Sequence, residues 1–280
     1  MPISAIIYNK NVVPSTQSCI KHNDRGFTLG HGLFETMLVK KRLVPALDYH
    51  WRRLTVSASI IGIAIPFSCH ELELMIQQLI EQNDLQSKIA GARLTITNGE
   101  SARGLLPSGT PKPNFVISVF EHTAIVKPNY SAVIVSIKKN EHTPSARIKS
   151  TSYLDNILAK QEAVNLGYDE AILLNTASNI ADGTMFNIYM VKNNNIVTPC
   201  VSDGALPGVI RSILLEEFNH SFPITEKSIS VSDILDADEV FLTNALMGVQ
   251  PVGRLNNQKF DSFSVAERIG NLLRERKNYI

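Results

Sequence analysis

Apolar residues in this chain recur with two periods, and each period predicts one kind of element. Spacing of three and four residues predicts a helix, and the first such series is Leu47, Trp51, Leu54, Ala58 and Ile61. Runs rich in β-branched and aromatic residues predict strands. In the first half these rules give an N-terminal hairpin, two helices and two strands: residues 1–13, 47–63, 70–81, 92–99 and 114–122. The long Gly- and Pro-containing loop between the two strands is typical of a binding or lid loop.

The second half of the chain predicts more strands than helices. The predicted helices are 152–166, 207–218 and a terminal helix from Val265 onward. The predicted strands are 132–138, 170–175, 186–191, one strand after a turn at 192–195, 238–244 and 248–252. We therefore predict an α+β fold with two mixed sheets and a few flanking helices. The polar stretch 122–129 predicts a linker between a smaller N-terminal domain, 1–121, and a larger C-terminal domain, 130–280.

The composition is typical of a soluble globular protein with room for two modest domains. The chain has 280 residues, of which 44% are hydrophobic and 19% charged. Its formal net charge of +1 argues against binding to nucleic acid or to an anionic membrane surface. The three cysteines are widely separated and form no CxxC or His/Cys cluster, so we expect no metal site, no disulfide framework and a reducing, cytoplasmic location. The N-terminus lacks a basic signal-peptide start, and no stretch approaches the roughly 18 apolar residues of a membrane span.

Three features of the second half supply complementary chemistry. Lys149 lies in a loop between a predicted strand and a predicted helix, four residues before Tyr153, whose hydroxyl can donate to a neighbouring oxyanion. Asp182 lies at an apolar strand end, where a carboxylate is costly unless it meets a cation. Pro207 and Gly208 begin an apolar helix, and the free amides of such a helix start suit a phosphate. An amine, a carboxylate and a phosphate site are together what pyridoxal phosphate requires.

A series of motifs along nearly the whole chain resembles one enzyme family. The motifs are DRGFTLGHGLFET, LDYHWRRL, RLTITNGESARGLLP, IKSTSYLDNILAKQEA, GYDEAILLN, IADGTMFNIYMV, PGVIRS and TNALMGVQPV. In order and spacing they are similar to the class IV aminotransferases, fold-type IV pyridoxal-phosphate enzymes that include branched-chain and D-amino-acid aminotransferases and 4-amino-4-deoxychorismate lyase. The resemblance implies a two-domain, D-amino-acid aminotransferase-like fold and pyridoxal 5'-phosphate bound by the C-terminal domain. It also implies a cytoplasmic homodimer that acts on a small amine or carboxylate substrate.

The resemblance further implies a role for each residue of the site. Lys149 corresponds to the lysine that forms the Schiff base and carries protons, and Arg53 to the arginine that binds the phosphate. Val209 and Ile210 would offer backbone amides to the same phosphate. Asp182 stands where the family usually has glutamate, paired with the pyridine nitrogen, and is one methylene shorter. The other predicted cofactor-binding residues are Tyr153, Asn187 and Ala245. The predicted substrate-binding residues are Arg103, Leu246 and Met247.

Three functions are compatible with these motifs. TNALMGVQPV and Arg103 resemble the matching segments of the lyase, which releases pyruvate and 4-aminobenzoate in folate biosynthesis. Tyr153 and the segment LAKQEA are equally typical of aminotransferases that act on branched-chain or D-amino acids with a 2-oxo acid acceptor. A non-catalytic pyridoxal-phosphate-binding homologue is the third alternative, and Asp182 and the bulky Phe186 favour it. Of the three, we expect the lyase.

Overall fold

The chain folds into two compact units. The computed structural model describes residues 4–17, 20–123, 127–277 and 279. Within this part of the chain, the first unit consists of the described residues of Met1–Thr123 together with Ile148–Ser152. The second unit consists of the described residues of Ala124–Arg147 and Tyr153–Ile280.

The short segment 148–152 differs most from the predicted domain organisation. The sequence analysis placed it, and Lys149 with it, in the C-terminal domain, whereas the structure assigns it to the first unit. Within the predicted linker 122–129, residues 124–126 lie outside the described part of the chain. The same is true of residues 1–3 in the predicted hairpin and of Cys19.

The first unit is an antiparallel sheet. In the described part of the chain it has five strands, in the order β2-β1-β5-β4-β3. These strands are β1 Ala5–Tyr8, β2 Asn11–Pro14, β3 Gly32–Lys40, β4 Ile89–Thr97 and β5 Asn114–Glu121. The helices are α1 Arg25–Leu29, α2 Leu47–Ile61 and α3 Cys69–Gln82, with a 3₁₀ turn at Ser15–Gln17. The prediction of a mixed sheet is wrong for this unit, because its neighbouring strands pair antiparallel, including β4 and β5, which are joined by a loop without a helix.

β3 is central to the candidate site, and the sequence pattern did not predict it. The strand is buried on both faces, so apolar and polar positions do not alternate as they do in a half-exposed strand. Leu33, Met37 and Val39 share one face and belong to the core that α2 and α3 cover. Glu35 has the same parity, so this carboxylate points from the strand into the same layer.

Local signals explain where the two long helices of the first unit begin and end. Ser68 accepts a hydrogen bond from the Glu71 amide at 3.2 Å, and the Glu71 carboxylate accepts one from the Ser68 amide at 2.7 Å. This capping box begins α3. Gly62 ends α2 in the left-handed conformation, with φ of 67°. Both helices confirm the predictions from apolar spacing.

The second unit is a mixed sheet, as predicted. Nine strands form it in the described residues, in the order β11-β10-β9-β12-β13-β6-β7-β8, with β14 beside β13. They are β6 Tyr130–Lys139, β7 Glu170–Asn175, β8 Ile180–Gly183, β9 Asn187–Lys192, β10 Asn195–Thr198, β11 Ile224–Glu226, β12 Glu239–Asn244, β13 Gly248–Leu255 and β14 Gln258–Lys259. The helices are α4 Leu154–Asn165, α5 Val209–Glu216, α6 Val231–Leu235 and α7 Ser264–Lys277, with 3₁₀ turns at Pro144–Arg147 and Val201–Asp203. The α+β class is therefore confirmed.

α4 lies on the connection between β6 and β7, which pair in parallel and so need a crossover. Two buried alanines, Ala159 and Ala163, let the helix approach the sheet closely, against Val133 and Ala171. The segment 148–152 ends just before α4 begins at Leu154. None of the helices in the described residues has the length and apolar character to cross a membrane.

Candidate active site

A buried ion-pair network joins β3 to α2 in the first unit. His50 and Arg53 are three residues apart on α2 and so lie on one face of the helix. The Arg53 guanidinium donates through Nε to Glu35 Oε1 at 2.8 Å and through Nη2 to Oε2 at 2.6 Å. His50 Nδ1 lies 2.7 Å from the same Oε2. The predicted phosphate-binding arginine is thus held by a carboxylate that the sequence analysis did not identify.

The ionisation of this network follows from its geometry. Burial alone would raise the pKa of Glu35, but the Arg53 guanidinium and the hydrogen bonds from Arg53 and His50 outweigh it and hold this pKa at about 2. Burial, together with the nearby Arg53 and Lys149 charges, lowers the pKa of His50 more than Glu35 raises it. His50 is therefore neutral and donates from Nδ1. Its Nε2 is then a buried acceptor that has no hydrogen-bond partner among the described residues.

Lys149 lies beside this network because its segment pairs with the start of β3. The Phe34 amide donates to the Lys149 carbonyl at 2.9 Å, and the Thr151 amide donates to the Gly32 carbonyl at 2.9 Å. The Lys149 ammonium nitrogen lies 4.3 Å from the centroid of the Phe34 ring. Contact with an aromatic face is favourable for a lysine cation. The segment that carries the predicted reactive amine is thus paired with the strand that carries Glu35.

Two glycines of the GHG motif make room for the lysine segment. A Cβ on Gly30 would lie 2.2 Å from Ser152 Oγ, and Gly30 has φ of 65°, which favours glycine. A Cβ on Gly32 would lie 2.8 Å from the Ile96 carbonyl oxygen and 3.0 Å from Thr151 Oγ1. The motif therefore specifies a close backbone approach, a role that sequence reasoning did not assign to it.

Arg25 anchors the loop that carries the predicted substrate-binding Arg103. The buried Arg25 guanidinium donates to the carbonyl oxygens of Gly104, at 3.0 Å, and of Leu105. It also donates to His31 Nδ1 at 3.1 Å, so His31 carries its proton on Nε2 and donates it to a backbone carbonyl at 2.8 Å. Arg103 itself is exposed. Arg25 was recognised from the sequence only as part of a motif, because its anchoring role depends on a contact with a residue about 80 positions away.

In the second unit, Asp182 lies at the end of β8 as a buried carboxylate. Its Oδ1 accepts from Asn187 Nδ2 at 3.1 Å, and its Oδ2 accepts from the Leu206 amide at 2.9 Å. Lys139 Nζ lies 3.6 Å from Oδ2. Burial raises the pKa of Asp182, and Lys139 and the Leu206 amide oppose this only in part. The predicted partner of the pyridine nitrogen is therefore a buried carboxylate whose pKa lies above its usual value.

Asn187 connects Asp182 to the start of α5. Its side-chain amide also donates to the Leu206 carbonyl at 2.8 Å. A Cβ on Gly208 would lie 1.8 Å from Asn187 Oδ1, so any larger residue at this position would have to displace the Asn187 side chain. Gly208 is the N-cap of α5 and has no side chain to accept from the first amides. The amides of Val209 and Ile210 therefore begin the helix without a side-chain cap, which suits a phosphate.

Tyr153 and Lys160 are held by other partners in the second unit. The Tyr153 hydroxyl donates to the Thr184 carbonyl at 3.1 Å, so in this structure its proton is not directed at an oxyanion. Lys160 Nζ lies 3.0 Å from the fully buried Glu170 carboxylate. Phe186 packs in the core, with its ring centroid 5.8 Å from that of Tyr130, so packing accommodates its bulk.

The predicted residues Ala245, Leu246 and Met247 form the turn after β12. The Asn244 side chain fixes this turn, because its Oδ1 accepts from the Leu246 amide at 3.1 Å and from the Met247 amide at 2.8 Å. All three predicted residues are half-buried. Sequence reasoning identified the motif but not the reason for its asparagine.

The donor set of these residues fits pyridoxal phosphate. The second unit supplies helix amides without a side-chain cap and a buried carboxylate, and the first unit supplies a lysine amine, which are the groups that its phosphate, its ring nitrogen and its carbonyl require. The model of the Amino-transferase class IV family matches residues 32–255. The chain belongs to the class IV aminotransferase family. It is therefore a pyridoxal-phosphate-dependent enzyme of fold type IV, as the sequence predicted.

Its relatives include both lyases and aminotransferases. An aminodeoxychorismate lyase of Bacillus subtilis is 28% identical over 261 residues, which cover 92% of this chain and 89% of that protein. A D-alanine aminotransferase of Bacillus licheniformis is 28% identical over 258 residues, 92% of this chain and 90% of that protein. A crystal structure from Legionella pneumophila, provisionally named a 4-amino-4-deoxychorismate lyase, aligns with a TM-score of 0.87 and 30% identity, covering 93% of this chain and 96% of that one. The family and the cofactor follow from these comparisons, and the reaction does not.

Proposed function

We propose that this enzyme is a 4-amino-4-deoxychorismate lyase that supplies 4-aminobenzoate for folate biosynthesis. The turn 244–247 carries the proposal, because its sequence NALM is similar to the lyase segment and Asn244 fixes its backbone. The Legionella and Bacillus subtilis relatives support it by name. The alternative is an aminotransferase for branched-chain or D-amino acids, which the equally similar D-alanine aminotransferase favours.

The residues of the site would have the following roles. Lys149 would attach the cofactor through its amine, Arg53 and the first amides of α5 would bind the phosphate, and Asp182 would face the ring nitrogen. Bound pyridoxal phosphate supplies an electron sink for the carbanion formed on the substrate. Arg103 would bind a substrate carboxylate, for which a guanidinium is well suited. Leu246 and Met247 would contact the substrate ring.

Lys149 would also move the proton in the proposed reaction. It takes the ring proton next to the substrate nitrogen, the bond to the enolpyruvyl oxygen breaks, and the proton ends on the methylene carbon of the departing group. The products are pyruvate and 4-aminobenzoate, so atoms balance without water, an oxidant or a second substrate. An aminotransferase would instead need a 2-oxo acid to complete each cycle.

This requirement gives the deciding experiment. The purified, cofactor-loaded enzyme should convert 4-amino-4-deoxychorismate alone into equal amounts of pyruvate and 4-aminobenzoate over many turnovers. D-Alanine or a branched-chain amino acid should give no sustained turnover, even with a 2-oxo acid present. Sustained transfer to a 2-oxo acid, with no 4-aminobenzoate from the lyase substrate, would show that the aminotransferase assignment is right.

The attachment site is tested separately from the reaction. Borohydride reduction of the loaded enzyme should fix the cofactor to one lysine, and peptide mapping should find it on Lys149. Lys160 is the internal comparison, since it lies in the same motif but is paired with Glu170. Modification of Lys160, or of no lysine, would contradict the assignment.

Arg103 offers a test of the substrate site. A charged hydrogen bond to a carboxylate contributes about 1.5–3 kcal/mol, so Arg103→Ala should raise KM about 10- to 100-fold with a smaller change in kcat. Lys112→Ala, an exposed lysine of the same loop, is the control and should leave KM unchanged. An unchanged KM for Arg103→Ala would remove the arginine from the substrate site.

We also propose that the enzyme is a homodimer in the cytoplasm, as the family resemblance implies. Leu105 and Leu106 support the dimer, because they are 85% and 84% exposed on the loop that Arg25 anchors. Adjacent leucines this exposed are unusual unless a partner covers them. Light scattering should give twice the chain mass, and a monomer at all concentrations would contradict the proposal.

A further inference from the structure

Lys139 reaches Asp182 across an intervening strand. Lys139 ends β6 and pairs with Asn175 of β7, while Asp182 of β8 pairs with Leu173 on the other side of β7. Two strand spacings of about 4.8 Å therefore separate the backbones of the lysine and the acid. Lysine is long enough to span this distance, and its Nζ lies 3.6 Å from Asp182 Oδ2.

The lysine also holds the loop that leads to α5. Its Nζ donates to the Gly204 carbonyl at 2.8 Å, two residues before Leu206, whose amide donates to Asp182. The Lys139 side chain is only 15% exposed, and a cation this buried is costly unless it is paired. The neighbouring Lys138 is exposed and donates to Ser178 Oγ at 2.9 Å. The strand thus directs two adjacent lysines to opposite environments.

Two other titratable groups, Arg211 and Tyr189, lie near Asp182. Arg211, on α5, donates to the Pro199 carbonyl at 3.0 Å and contacts the Glu226 carboxylate, which balances its charge. Tyr189, on β9, is fully buried, and its pKa is raised by burial. Burial likewise raises the pKa of Asp182, and Lys139 is the strongest influence against that rise.

We propose that Lys139 is a positioning residue for the active site, which holds Asp182 as a carboxylate and ties it to the loop before α5. A neutral carboxyl could not meet a protonated ring nitrogen as an anion. Lys139 would therefore keep Asp182 ionised before the cofactor binds. This consequence rests on the proposed role of Asp182, whereas the ion pair itself can be tested in the cofactor-free protein.

The first experiment measures urea unfolding of the cofactor-free protein from acid to neutral pH. Loss of the Lys139 charge raises the folded-state pKa of Asp182 further above its unfolded value. The stability of Lys139→Met should therefore fall increasingly below wild type as pH rises, and its pH profile should shift upward by about one unit. Lys139→Arg should keep the wild-type profile, and Lys138→Met is the matched control that should keep it too. If Lys139→Met does not fold, Lys139→Gln replaces it.

The Asp182→Asn background separates electrostatics from packing. In this background the stability lost through Lys139→Met should be the same at every pH, because the titrating group is gone. A pH-independent loss in the native background, or an unchanged pH-dependent loss in Asp182→Asn, would reduce the lysine to a packing residue and overturn the proposal.

The second experiment follows the visible absorbance of bound pyridoxal phosphate against pH. Removal of a positive charge raises the proton affinity of the coupled ring nitrogen and carboxylate, so Lys139→Met should titrate about one unit higher than wild type. An unchanged titration would overturn the effect on the cofactor. If the wild-type protein binds no pyridoxal phosphate, the proposed function fails, and the urea experiment still decides whether the ion pair acts as described.

Discussion

Two buried carboxylates, one in each unit, have pKa values that are shifted in opposite directions. Glu35 is 2% exposed and Asp182 is 3% exposed, so both have lost nearly all contact with water. The pKa of Glu35 is nevertheless lowered to about 2, whereas that of Asp182 is raised. Burial raises the pKa of both groups, so the difference comes from their partners.

The partners differ in charge and in geometry. Glu35 receives two hydrogen bonds from one guanidinium at 2.6 and 2.8 Å, an arrangement that gives strong, charge-assisted bonds. Asp182 receives its hydrogen bonds from two neutral amides, and its cation, Lys139, is 3.6 Å away. A carboxylate held like Glu35 is a fixed structural charge. One held like Asp182 has a pKa above its usual value, so its charge depends on the cation beside it.

The largest expected effect is on Lys149, which lies beside the Glu35 network. Lys149→Ala should reduce turnover by more than about a thousandfold, because the attaching amine is lost. Loss of its contact with the Phe34 ring should cost about 1 kcal/mol of folding free energy. Lys149→Arg keeps the charge over Phe34 and should be equally inactive. Turnover within tenfold of wild type in either variant would exclude Lys149 as the attachment site.

Glu35→Gln should cost stability more than any change at Asp182. The substitution leaves Arg53 buried without its carboxylate, which costs about 3–5 kcal/mol. Urea unfolding measures this loss. Glu81→Gln is the control, because the Arg42–Glu81 pair is about half exposed and should contribute less than about 1 kcal/mol. Equal losses in Glu35→Gln and Glu81→Gln would show that the buried Glu35–Arg53 pair contributes no more than an exposed one.

The Glu35 contribution should also depend on pH in a defined window. A fall in pKa from 4.5 to about 2 corresponds to about 3 kcal/mol of stabilisation. The pKa of Glu35 is lower in the folded state than in the unfolded state. This stabilisation is therefore complete above pH 4.5 and is lost as the pH falls toward 2. The stability difference between wild type and Glu35→Gln should shrink across that window. A stability difference that stays constant down to pH 2 would contradict the proposal that the ion pair with Arg53 lowers the pKa of Glu35.

Asp182→Asn should have the opposite profile, a large effect on activity and a small one on stability. Loss of charge stabilisation at a reacting group typically costs about a hundredfold in kcat. The free energy of unfolding should change by about 1 kcal/mol or less, since removal of a buried charge offsets the loss of its partner for Lys139. Asp182→Glu keeps the charge and should retain most of the turnover. Unchanged kcat in Asp182→Asn would show that this acid does not act on the cofactor.

Gly208→Ala should give the smallest effect and confine it to the second unit. The added Cβ would displace Asn187, and overpacking of this kind costs about 1–3 kcal/mol, so pyridoxal phosphate affinity should fall about tenfold. Gly270→Ala, in α7, has its nearest neighbour at 3.6 Å and should bind normally. The Glu35 pH profile should be the same in both variants. Normal affinity in Gly208→Ala would argue against a phosphate at this helix start.

Elements whose apolar residues recur with a clear period were predicted from the sequence. The positions of functional residues within those elements were predicted with them. α2 was predicted from apolar spacing, and this alone placed Arg53 and His50 on one face. α5 was predicted together with its glycine start. Lys149 was placed correctly in the loop before α4. The family motifs added the cofactor, which the class IV match confirms.

Only the tertiary structure decided which residues far apart in the chain contact one another. β3 was missed because burial on both faces removes the alternation on which strand prediction depends. Its Glu35 meets Arg53 18 residues later, and Lys139 meets Asp182 43 residues later and across a strand. Periodicity records which face of an element is apolar, and it carries no information on which element covers that face. The sequence therefore determined the chemical groups and their local settings. The packing of α2 on β3 gave Glu35 the partner that lowers its pKa, and the pairing of β6, β7 and β8 brought Lys139 to Asp182.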